Sequence, residues 1–459
     1  MYLASHNVED KINIDCMIDE QIQSITAQHP DFWTLKTRNH HSYAHSIFHY
    51  PAMMVPEIQR KIIEIILKNK PTINSVYDPY VGAGTTFTAA LSCGLNCYGN
   101  DINPLAILIS KVKTNLSWEE SDLYDTLRII KHHIENDDST LIDISFPNIR
   151  KWFTDEIAIE LSKIRRAITT LNNIALRRVF WVILAETIRT TCNDRTTTYK
   201  LHVRPIAEIE KRNISPITVF LHLALNSISD LISYKNQLYT YKEHDIKLHG
   251  TTKLFLGDSM DYNFVKEKYC ELKFDLLVTS PPYGDNGSTI TYGQHSYLPL
   301  QWIELTDIDE GIDFDLLRTT QEIDNRSLGG NSTKITSEII DNLSQESTQI
   351  KKVFKLFALS NQPIDRMNRV ARFYHDFALS IDNIQKQMAF NSYQVWTVGN
   401  RRVGGFEIPN DQILIELLST RNVLLVSEIT RNIYNKRMPH KNKISQTMKQ
   451  EKILIFRKK

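Results

Sequence analysis

The chain has 459 residues, which is enough for two or three domains and a sizeable core. Hydrophobic residues make up 42% and charged residues 23%, which is ordinary for a soluble protein, and a formal net charge of +1 gives no global sign of a nucleic-acid binder. The five scattered cysteines argue against disulfides, no metal site is visible, and no signal peptide or bilayer-spanning apolar stretch is predicted. We therefore expect a cytoplasmic protein with no membrane partner.

The first predicted elements form a strand, a turn, a helix and a second strand. In chain order they are an irregular polar arm over 1–40, a helix over 57–69, a strand over 73–77, a helix from Thr85 to Gly94 and a strand over 97–99. This succession is one βαβ unit.

A long helical region then interrupts the alternation of strands and helices. Its apolar positions recur at helical spacing, and no glycine occurs between Gly99 and Gly250. The alternation resumes with strands at 254–257 and 274–278, polar loops over 284–360, a helix over 364–388, a strand over 393–398, a helix over 410–419 and strands over 423–428 and 452–457. The last two strands are close in sequence, which predicts antiparallel pairing at the sheet edge.

A glycine-rich turn after the first strand suits a nucleotide-like ligand. Asp78-Pro79 ends the strand, and Gly82-Ala83-Gly84 leads into the helix, where glycine lets the backbone approach a ligand closely. Gly-x-Gly alone is weak, but this setting strengthens it. Asp101 ends the second strand, where its carboxylate can accept from a ribose diol or cap the next helix, two roles that can coexist. Asp258, after the third strand, can accept from an adenine amino group or serve only as a turn residue.

A second turn carries two prolines after a buried strand. Thr279-Ser280-Pro281-Pro282-Tyr283 closes the apolar run 274–278, and each proline fixes φ and removes a backbone donor. The result is a rigid turn, rich in acceptors and with an aromatic wall. Such a turn suits an exocyclic amino group on a flat ring.

Together these motifs resemble the S-adenosylmethionine-dependent DNA amino-methyltransferases. The resemblance is carried by residues 78–86, Asp101-Ile102-Asn103-Pro104, Gly257-Asp258 and residues 280–283, and the Ser-Pro-Pro-Tyr version is similar to the cytosine-N4 branch. Residues 48–56 are similar to the segment that in this family lies against the methionine end of the cofactor. The resemblance implies S-adenosylmethionine as cofactor, with contacts from Tyr50, Pro51, Ala52, Asp78, Tyr80, Gly82, Gly84, Thr85, Asp101, Asn103, Asp258 and Ser259.

The resemblance also implies the architecture. We expect an α/β, Rossmann-like methyltransferase fold with a mostly parallel sheet, an antiparallel edge strand and a large helical insertion. The catalytic domain would comprise 41–115 and 250–459, after the arm over 1–40. The inserted region 116–249 matches nothing named and is a candidate target-recognition region.

The proline turn can support methylation of an amino nitrogen. The Ser280 hydroxyl and the Pro281 carbonyl can accept its N–H groups and localise its lone pair, Pro282 keeps the turn rigid, and Tyr283 can stack on the base. No cysteine follows a proline, which disfavours methylation of a ring carbon. Serine favours cytosine N4 over adenine N6. RNA or protein-amide methylation and a non-catalytic DNA-binding protein are the further alternatives.

Three basic segments are candidates for binding double-stranded DNA from which the target base is flipped. They are predicted to contribute Arg195, Lys200 and Arg204 from the insertion, Arg401 and Arg402 after a strand end, and Lys436 and Arg437 from the tail. The alternatives are a structural cap for the insertion and a solvated basic surface for the rest. The leading interpretation is the modification enzyme of a restriction system, with a cognate endonuclease as its counterpart.

Overall fold

The computed structural model describes residues 3–34, 44, 46–196, 198–240, 250–330, 333–433 and 450–459. Nine strands lie in these ranges: β1 Ser75–Asp78, β2 Asn96–Asp101, β3 Thr252–Leu256, β4 Phe274–Thr279, β5 Met388–Val398, β6 Arg401–Val403, β7 Phe406–Ile408, β8 Val423–Asn432 and β9 Gln450–Lys458.

The described ranges also contain seventeen α-helices. They are α1 Leu3–Gln28, α2 Pro56–Asn69, α3 Thr85–Leu91, α4 Pro104–Thr114, α5 Glu120–Glu135, α6 Ile149–Trp152, α7 Asp155–Thr169, α8 Ile174–Thr191, α9 Ile206–Ile209, α10 Pro216–Thr240, α11 Tyr262–Tyr269, α12 Tyr292–Trp302, α13 Glu322–Arg326, α14 Ser337–Glu346, α15 Thr348–Ala358, α16 Ile364–Gln387 and α17 Asn410–Ser419.

Seven strands form one central sheet in the order β3-β2-β1-β4-β5-β9-β8, and β6 and β7 form a separate hairpin. The first five strands of this order pair in parallel, with Tyr77 of β1 opposite Tyr98 of β2 and Leu277 of β4. The predicted fold class is confirmed: an α/β protein with a mostly parallel sheet and many helices.

The antiparallel pairing at the end of the sheet differs in detail from the prediction. β9 runs antiparallel to β5 and to β8, so β8 runs in the same direction as the parallel strands. The reversed strand is therefore one position in from the edge, because β9 inserts between β5 and β8. The predicted antiparallel pairing of the last two strands is confirmed.

Helices cover both faces of the sheet. On one face α2 buries Ile58, Ile62 and Ile66 against β1 and α3, since these residues recur at helical spacing after Pro56 at the helix start. On the other face α11, α16 and α17 pack on the sheet around the buried rings of Tyr77 and Trp396. Both faces of the parallel strands are thus buried, as parallel sheets require.

The predicted insertion is helical, but it does not stand apart from the α/β part. Helices α5, α7, α8 and α10 share one continuous hydrophobic core with α4 and α12. Asp307, in a short 3-10 turn after α12, is buried and accepts hydrogen bonds from Arg177 and from Trp181 Nε1, the latter at 2.6 Å, while Arg178 Nε donates to its main-chain oxygen at 2.6 Å. The insertion therefore packs directly on the α/β part.

Two further segments are more helical than predicted. The N-terminal segment is not an irregular arm, because it contains α1, which buries Ile18 and Ile22 against α2 and the sheet. The region 284–360 contains α12 to α15 as well as loops. The prediction of loops was wrong for α15, where Ile350, Val353, Phe354 and Phe357 recur at helical spacing and are buried, so the periodic signal was present in the sequence.

Helix α10 is long and apolar. Over 216–238 it has the length and hydropathy of a helix that crosses a membrane. Its buried residues Phe220, Ala224, Ile228 and Leu231 recur every three or four positions and pack in the helical core, while His222, Asn226 and Ser229 are exposed. This one-sided burial is the pattern of a core helix of the insertion.

Replacing Asp307 with alanine should destabilise the protein by about 3 kcal/mol. The variant leaves Arg177, which is 24% exposed, and the Trp181 N–H without their acceptor, and breaking a buried ion pair costs about 3–5 kcal/mol. Urea unfolding measures the change. The exposed neighbour Glu310, as Glu310→Gln, is the matched control and should stay within about 0.5 kcal/mol. A loss below about 1 kcal/mol for Asp307→Ala would contradict this prediction.

Candidate active site at the carboxyl edge of the sheet

The carboxyl ends of β1 to β4 meet at one edge of the sheet and border one cleft. Of the residues predicted from the sequence, the cleft is lined by Tyr50, Pro51, Ala52, Tyr80, Gly82, Thr85, Asp101, Asn103, Asp258, Ser259, Ser280 and Pro282. The structure does not place Asp78, Gly84, Pro281 or Tyr283 on the cleft wall.

The glycine turn depends on left-handed backbone at two positions. Gly82 and Gly84 have φ of 52° and 77°, values that residues with a side chain rarely adopt. A Cβ on Gly84 would also lie 2.9 Å from Ser110 Oγ of α4, so this glycine serves close packing of α3 on α4. Ser110 Oγ in turn donates to the Gly82 carbonyl at 2.9 Å. Gly82 lines the cleft, and Gly84 packs behind the turn against Ser110.

Asp101 is held with its carboxylate at the cleft. Its Oδ2 accepts from Gly82 N at 2.8 Å, and its Oδ1 accepts from Asn103 N at 2.8 Å. Asn103 also caps α4, since its side-chain oxygen accepts from Leu105 N, and its amide nitrogen donates to the Tyr50 hydroxyl at 3.2 Å. The cap and the ligand-facing carboxylate therefore coexist, and each carboxylate oxygen keeps a further lone pair for a donor in the cleft.

The third strand ends in a second acidic turn. Asp258 Oδ1 accepts from Met260 N at 2.8 Å, which closes the turn after β3. Helix α16 fixes this turn, because Ser380 donates to Ser259 Oγ at 2.9 Å and Asn383 Nδ2 donates to Ser259 O at 3.2 Å. Ser259 lines the cleft, but its hydroxyl is already engaged by the scaffold.

Asp78 lies behind the cleft and joins two strands. Its Oδ1 accepts from the Thr279 hydroxyl at 2.6 Å and from Tyr80 N at 3.0 Å. Thr279 is the last residue of β4, directly before Ser280. The side chain of Asp78 therefore acts on the position of both turns and does not face the ligand space.

Burial raises the pKa of Asp78, Asp101 and Asp258 to about 6 in each case, despite hydrogen bonds that lower it. A raised carboxyl pKa means that ionisation costs folding free energy as the pH rises through that value. Two of these acids face one cleft, which is typical of a functional site. At neutral pH they are mainly ionised and favour a ligand with cationic and hydroxyl groups. In the described ranges no cluster of His, Cys, Asp or Glu could hold a metal ion.

Residues 50–54 close one side of the cleft. The Tyr50 ring stacks on Tyr292 of α12 with centroids 5.8 Å apart and planes inclined by 27°. Ala52, two residues after Tyr50, has φ of 48°, a left-handed value that turns the chain over the cleft. Tyr292 itself lines the cleft and is a flat wall that the sequence did not indicate.

The proline turn places Ser280 and Pro282 on the cleft wall, while Pro281 is buried. Tyr283 packs against the core formed with α16 and α17. Its hydroxyl lies 3.4 Å from Ser280 Oγ and donates to Glu451 Oε1 at 3.1 Å. A stacking role for the Tyr283 ring has no support from this placement.

Arg401 is not a free cation on the rim. Its side chain is 9% exposed, and its Nη1 donates to Asp285 Oδ2 at 3.2 Å and to Ser288 Oγ at 3.1 Å. The guanidinium lies on Gly284, where a Cβ would come within 1.8 Å of Nη1, and faces the Phe373 ring at 5.5 Å. Arg401 therefore pins the chain after the proline turn, and its charge is neutralised by Asp285. Arg402 is exposed.

The basic loop of the insertion lies beside the segment that follows the proline turn. Lys200 Nζ donates to Gly287 O at 3.2 Å, Thr291 Oγ1 donates to Tyr199 O at 2.9 Å, and Leu201 N donates to Gln294 Oε1 at 3.3 Å. Arg195 and Lys200 are exposed, and Arg204 is partly buried and donates to Arg195 O. Lys436 and Arg437 lie outside the described residues.

Several residues of this edge had no signal in the sequence. Asn286 and Leu328 line the cleft from the region predicted as loops, and Glu451 of β9 accepts a hydrogen bond from Tyr283 of the proline turn. Asn286 Nδ2 donates to Asp324 Oδ1 at 3.0 Å, which also accepts from Gly293 N at the start of α12. Of these residues, the sequence distinguished only Glu451, because it is the single acid in the basic tail over 431–459.

Binding of the predicted cofactor should weaken as the pH falls through about 6. Asp101 and Asp258 must be ionised to accept from a ribose diol and an amino group, and burial raises the pKa of both to about 6. Calorimetry with S-adenosylhomocysteine from pH 5 to 8 should give full affinity above pH 7 and a loss of at least about tenfold at pH 5. Asp101→Asn should bind less tightly at pH 7.5 and show about half the pH slope. The exposed acid Glu267, as Glu267→Gln, should behave like the wild type, and a flat wild-type profile would refute the assignment.

Comparison with known proteins places this chain in a family. No family model matches the chain. The type II methyltransferase M.MvaI of Kocuria varians is 33% identical over 440 residues, which cover 93% of this chain and 92% of that protein. The type II methyltransferase M.MjaII of Methanocaldococcus jannaschii is 22% identical over 417 residues, covering 72% and 74%. Among solved structures, the rRNA methyltransferase aviRa of Streptomyces viridochromogenes aligns over 92% of this chain and 94% of its own, with 8% identity and a TM-score of 0.32.

The methyltransferase relatives imply S-adenosylmethionine as the methyl donor, and the cleft fits that molecule. Asp101 would hold the ribose diol and Asp258 the adenine amino group, while Tyr50 to Ala52 would face the methionine end. The two carboxylates would also attract its cationic sulfonium and ammonium groups. With a relative of 33% identity along nine-tenths of both chains, this protein belongs to the type II methyltransferases.

Proposed function

We propose that the protein is a site-specific DNA methyltransferase that transfers the methyl group of S-adenosylmethionine to the exocyclic N4 of cytosine. The observation that supports this most directly is the position of Ser280. It lines the same cleft as Asp101 and Asp258, in a turn that two prolines keep rigid. A rigid acceptor that faces the cofactor cleft is what methylation of an aromatic amino group requires.

The chemistry depends on the nitrogen lone pair, which an aromatic ring delocalises. Ser280 Oγ accepts from an N–H of the amino group, and the nitrogen lone pair becomes available. Pro281, whose carbonyl was the second predicted acceptor, does not line the cleft. The nitrogen forms a bond to the methyl carbon, the carbon–sulfur bond breaks with its electron pair left on sulfur, and the nitrogen then loses one proton to solvent. The cofactor supplies the methyl group, and the turn orients the nitrogen.

Duplex DNA is the proposed substrate, with the target base flipped into the cleft. The exposed cations Arg195 and Lys200 lie beside the segment that leads from the proline turn to Tyr292, so phosphates could bind there while a base occupies the cleft. Arg402 is a further exposed cation, whereas Arg401 is engaged by Asp285. We assign target recognition to the insertion, because its basic loop contacts the wall of the cleft.

The base and the biological setting follow from Ser280 and from the family. Serine in the Pro-Pro turn favours cytosine N4, and adenine N6 is the second candidate because its amino group presents the same chemistry. Type II relatives suggest the modification enzyme of a restriction system in the cytoplasm, with a cognate endonuclease as its counterpart. Single-molecule methylation sequencing of a host that expresses the gene would give base, position and target sequence together.

Ser280→Ala should lower methyl transfer to duplex DNA by at least about 100-fold while cofactor binding stays within about twofold, because one acceptor for the amino group is lost. Transfer of labelled methyl groups from S-adenosylmethionine measures turnover, with duplex DNA and RNA compared in parallel. Ser419→Ala, an exposed serine at the end of α17, is the matched control. Near-normal turnover in Ser280→Ala would remove Ser280 from the mechanism, and transfer to RNA alone would refute the DNA substrate.

Replacing both Arg195 and Lys200 with glutamine should weaken binding to duplex DNA. If each cation neutralises one phosphate, the slope of log affinity against log salt should fall by about 1.8. Fluorescence anisotropy at several salt concentrations measures this slope. Replacing Arg128 and Lys131, two exposed cations of α5, removes the same charge elsewhere on the insertion and should leave the slope unchanged. Equal slopes in both double variants would contradict the assigned surface.

A further inference from the structure

A chain of polar side chains leads from the proline turn into the last two strands of the sheet. Ser280 Oγ lies 3.4 Å from the Tyr283 hydroxyl, which lies 3.1 Å from Glu451 Oε1. Arg431 Nε and Nη2 lie 2.8 and 2.7 Å from Glu451 Oε2. The side chains of Arg431 and Glu451 are only 9% and 14% exposed, so this ion pair is largely shielded from water.

The chemistry of each group fixes the direction of the chain. A guanidinium only donates, and an ionised carboxylate only accepts. Arg431 therefore keeps Glu451 as an acceptor, and the hydrogen of the Tyr283 hydroxyl goes to Glu451. The Tyr283 oxygen is then left with lone pairs, so the hydroxyl of Ser280 must be the donor between these two residues. Burial, with the charge of Glu451, raises the pKa of Tyr283 well above its ordinary value, which keeps that hydroxyl protonated.

The strand directions explain why this ion pair lies at the catalytic edge. β9 is the reversed strand, so its first residues, including Glu451, lie at the edge where the parallel strands end. β8 runs with the parallel strands, so Arg431, near its end, lies at the same edge opposite Glu451 in the strand register. The main chain of Tyr283 is also fixed, because Asn410 Nδ2 donates to its carbonyl at 2.9 Å. The pair is thus held by the sheet itself.

We propose that Tyr283 and Glu451, held by Arg431, are positioning residues that point the Ser280 hydrogen away from the cleft and leave the lone pairs of its oxygen facing the amino group of the substrate. This inference rests on the proposed methylation of an amino nitrogen. A serine hydroxyl can donate as well as accept. If it donated into the cleft, its hydrogen would oppose the N–H groups that it must accept from, and it would not localise the nitrogen lone pair.

Two variants should have different effects on turnover. In Glu451→Gln, Arg431 donates to the amide oxygen of the glutamine, so the amide NH₂ faces Tyr283. The Tyr283 hydroxyl must then donate to Ser280, and the Ser280 hydrogen turns into the cleft. We expect kcat to fall about 100-fold, the scale of a lost transition-state hydrogen bond. Tyr283→Phe only removes the acceptor for the Ser280 hydrogen, and we expect a smaller loss of about tenfold, with cofactor affinity and its KM unchanged in both variants.

A double-mutant cycle tests whether these residues act through Ser280. In a Ser280→Ala background, Tyr283→Phe and Glu451→Gln should cause no further loss of kcat, because the hydroxyl that they orient is absent. A merely structural role would give losses that multiply with that of Ser280→Ala. Glu428→Gln on β8, an acid that pairs with Lys452, is the control and should retain wild-type kcat. Multiplying losses, or wild-type kcat in Glu451→Gln, would overturn the proposal.

The cycle can be read with whichever acceptor the wild type methylates, so transfer to adenine or RNA would revise the proposed function without removing this test. Neutron diffraction of the protein with S-adenosylhomocysteine gives a result that needs no turnover. The deuterium on Ser280 should point at Tyr283 Oη, and the one on Tyr283 should point at Glu451. A Ser280 deuterium directed into the cleft would refute the inference even if the protein proves to be a DNA methyltransferase.

Discussion

The hydrogen bond from the Thr279 hydroxyl to Asp78 Oδ1, at 2.6 Å, joins the ends of β4 and β1 where the two functional turns begin. The glycine turn follows Asp78 and the proline turn follows Thr279, so this hydrogen bond sets the distance between the two turns. β2 also passes close to Asp78, since a Cβ added to Gly99 would lie 2.4 Å from the main-chain oxygen of Asp78. An acid buried here costs free energy, and its benefit is a fixed relation between the glycine turn, whose Gly82 N donates to Asp101, and the proline turn, which carries Ser280.

The insertion shares its packing with the elements that border the cleft. Its helices bury their apolar faces against α4 and α12, and α4 begins at the Asn103 cap beside Asp101. Its basic loop contacts the residues between Gly287 and Gln294. A segment that would contact DNA is therefore continuous with the wall of the cleft. For the same reason, removing the insertion would expose the core of the catalytic part, so point variants are the appropriate probe of recognition.

The parts of this fold that follow local rules were predictable from the sequence. The strand ends, the glycine turn and the proline turn depend on neighbouring residues, and parallel strands then bring Asp101, Asp258 and Ser280 to one edge. The directions of side chains that depend on tertiary packing were not predictable. Asp78 has the position of a ligand residue along the chain, but its side chain turns toward Thr279. Tyr283 has the ring of a stacking residue, but its hydroxyl is engaged by Glu451, which lies 168 residues away.

Charge at the catalytic edge illustrates the same limit. Arg401 follows a strand end in a glycine-containing segment, which suggested a phosphate ligand, yet it is neutralised by Asp285 and lies on Gly284. Glu451 stands alone in a basic tail, and it becomes a partner of Arg431 because β9 is reversed. Both ion pairs brace the proline turn, one behind Gly284 and one behind Tyr283. The turn is fixed in its backbone by Pro281 and Pro282, and these pairs fix the direction in which its polar groups face, which is the property that an acceptor site for an amino group requires.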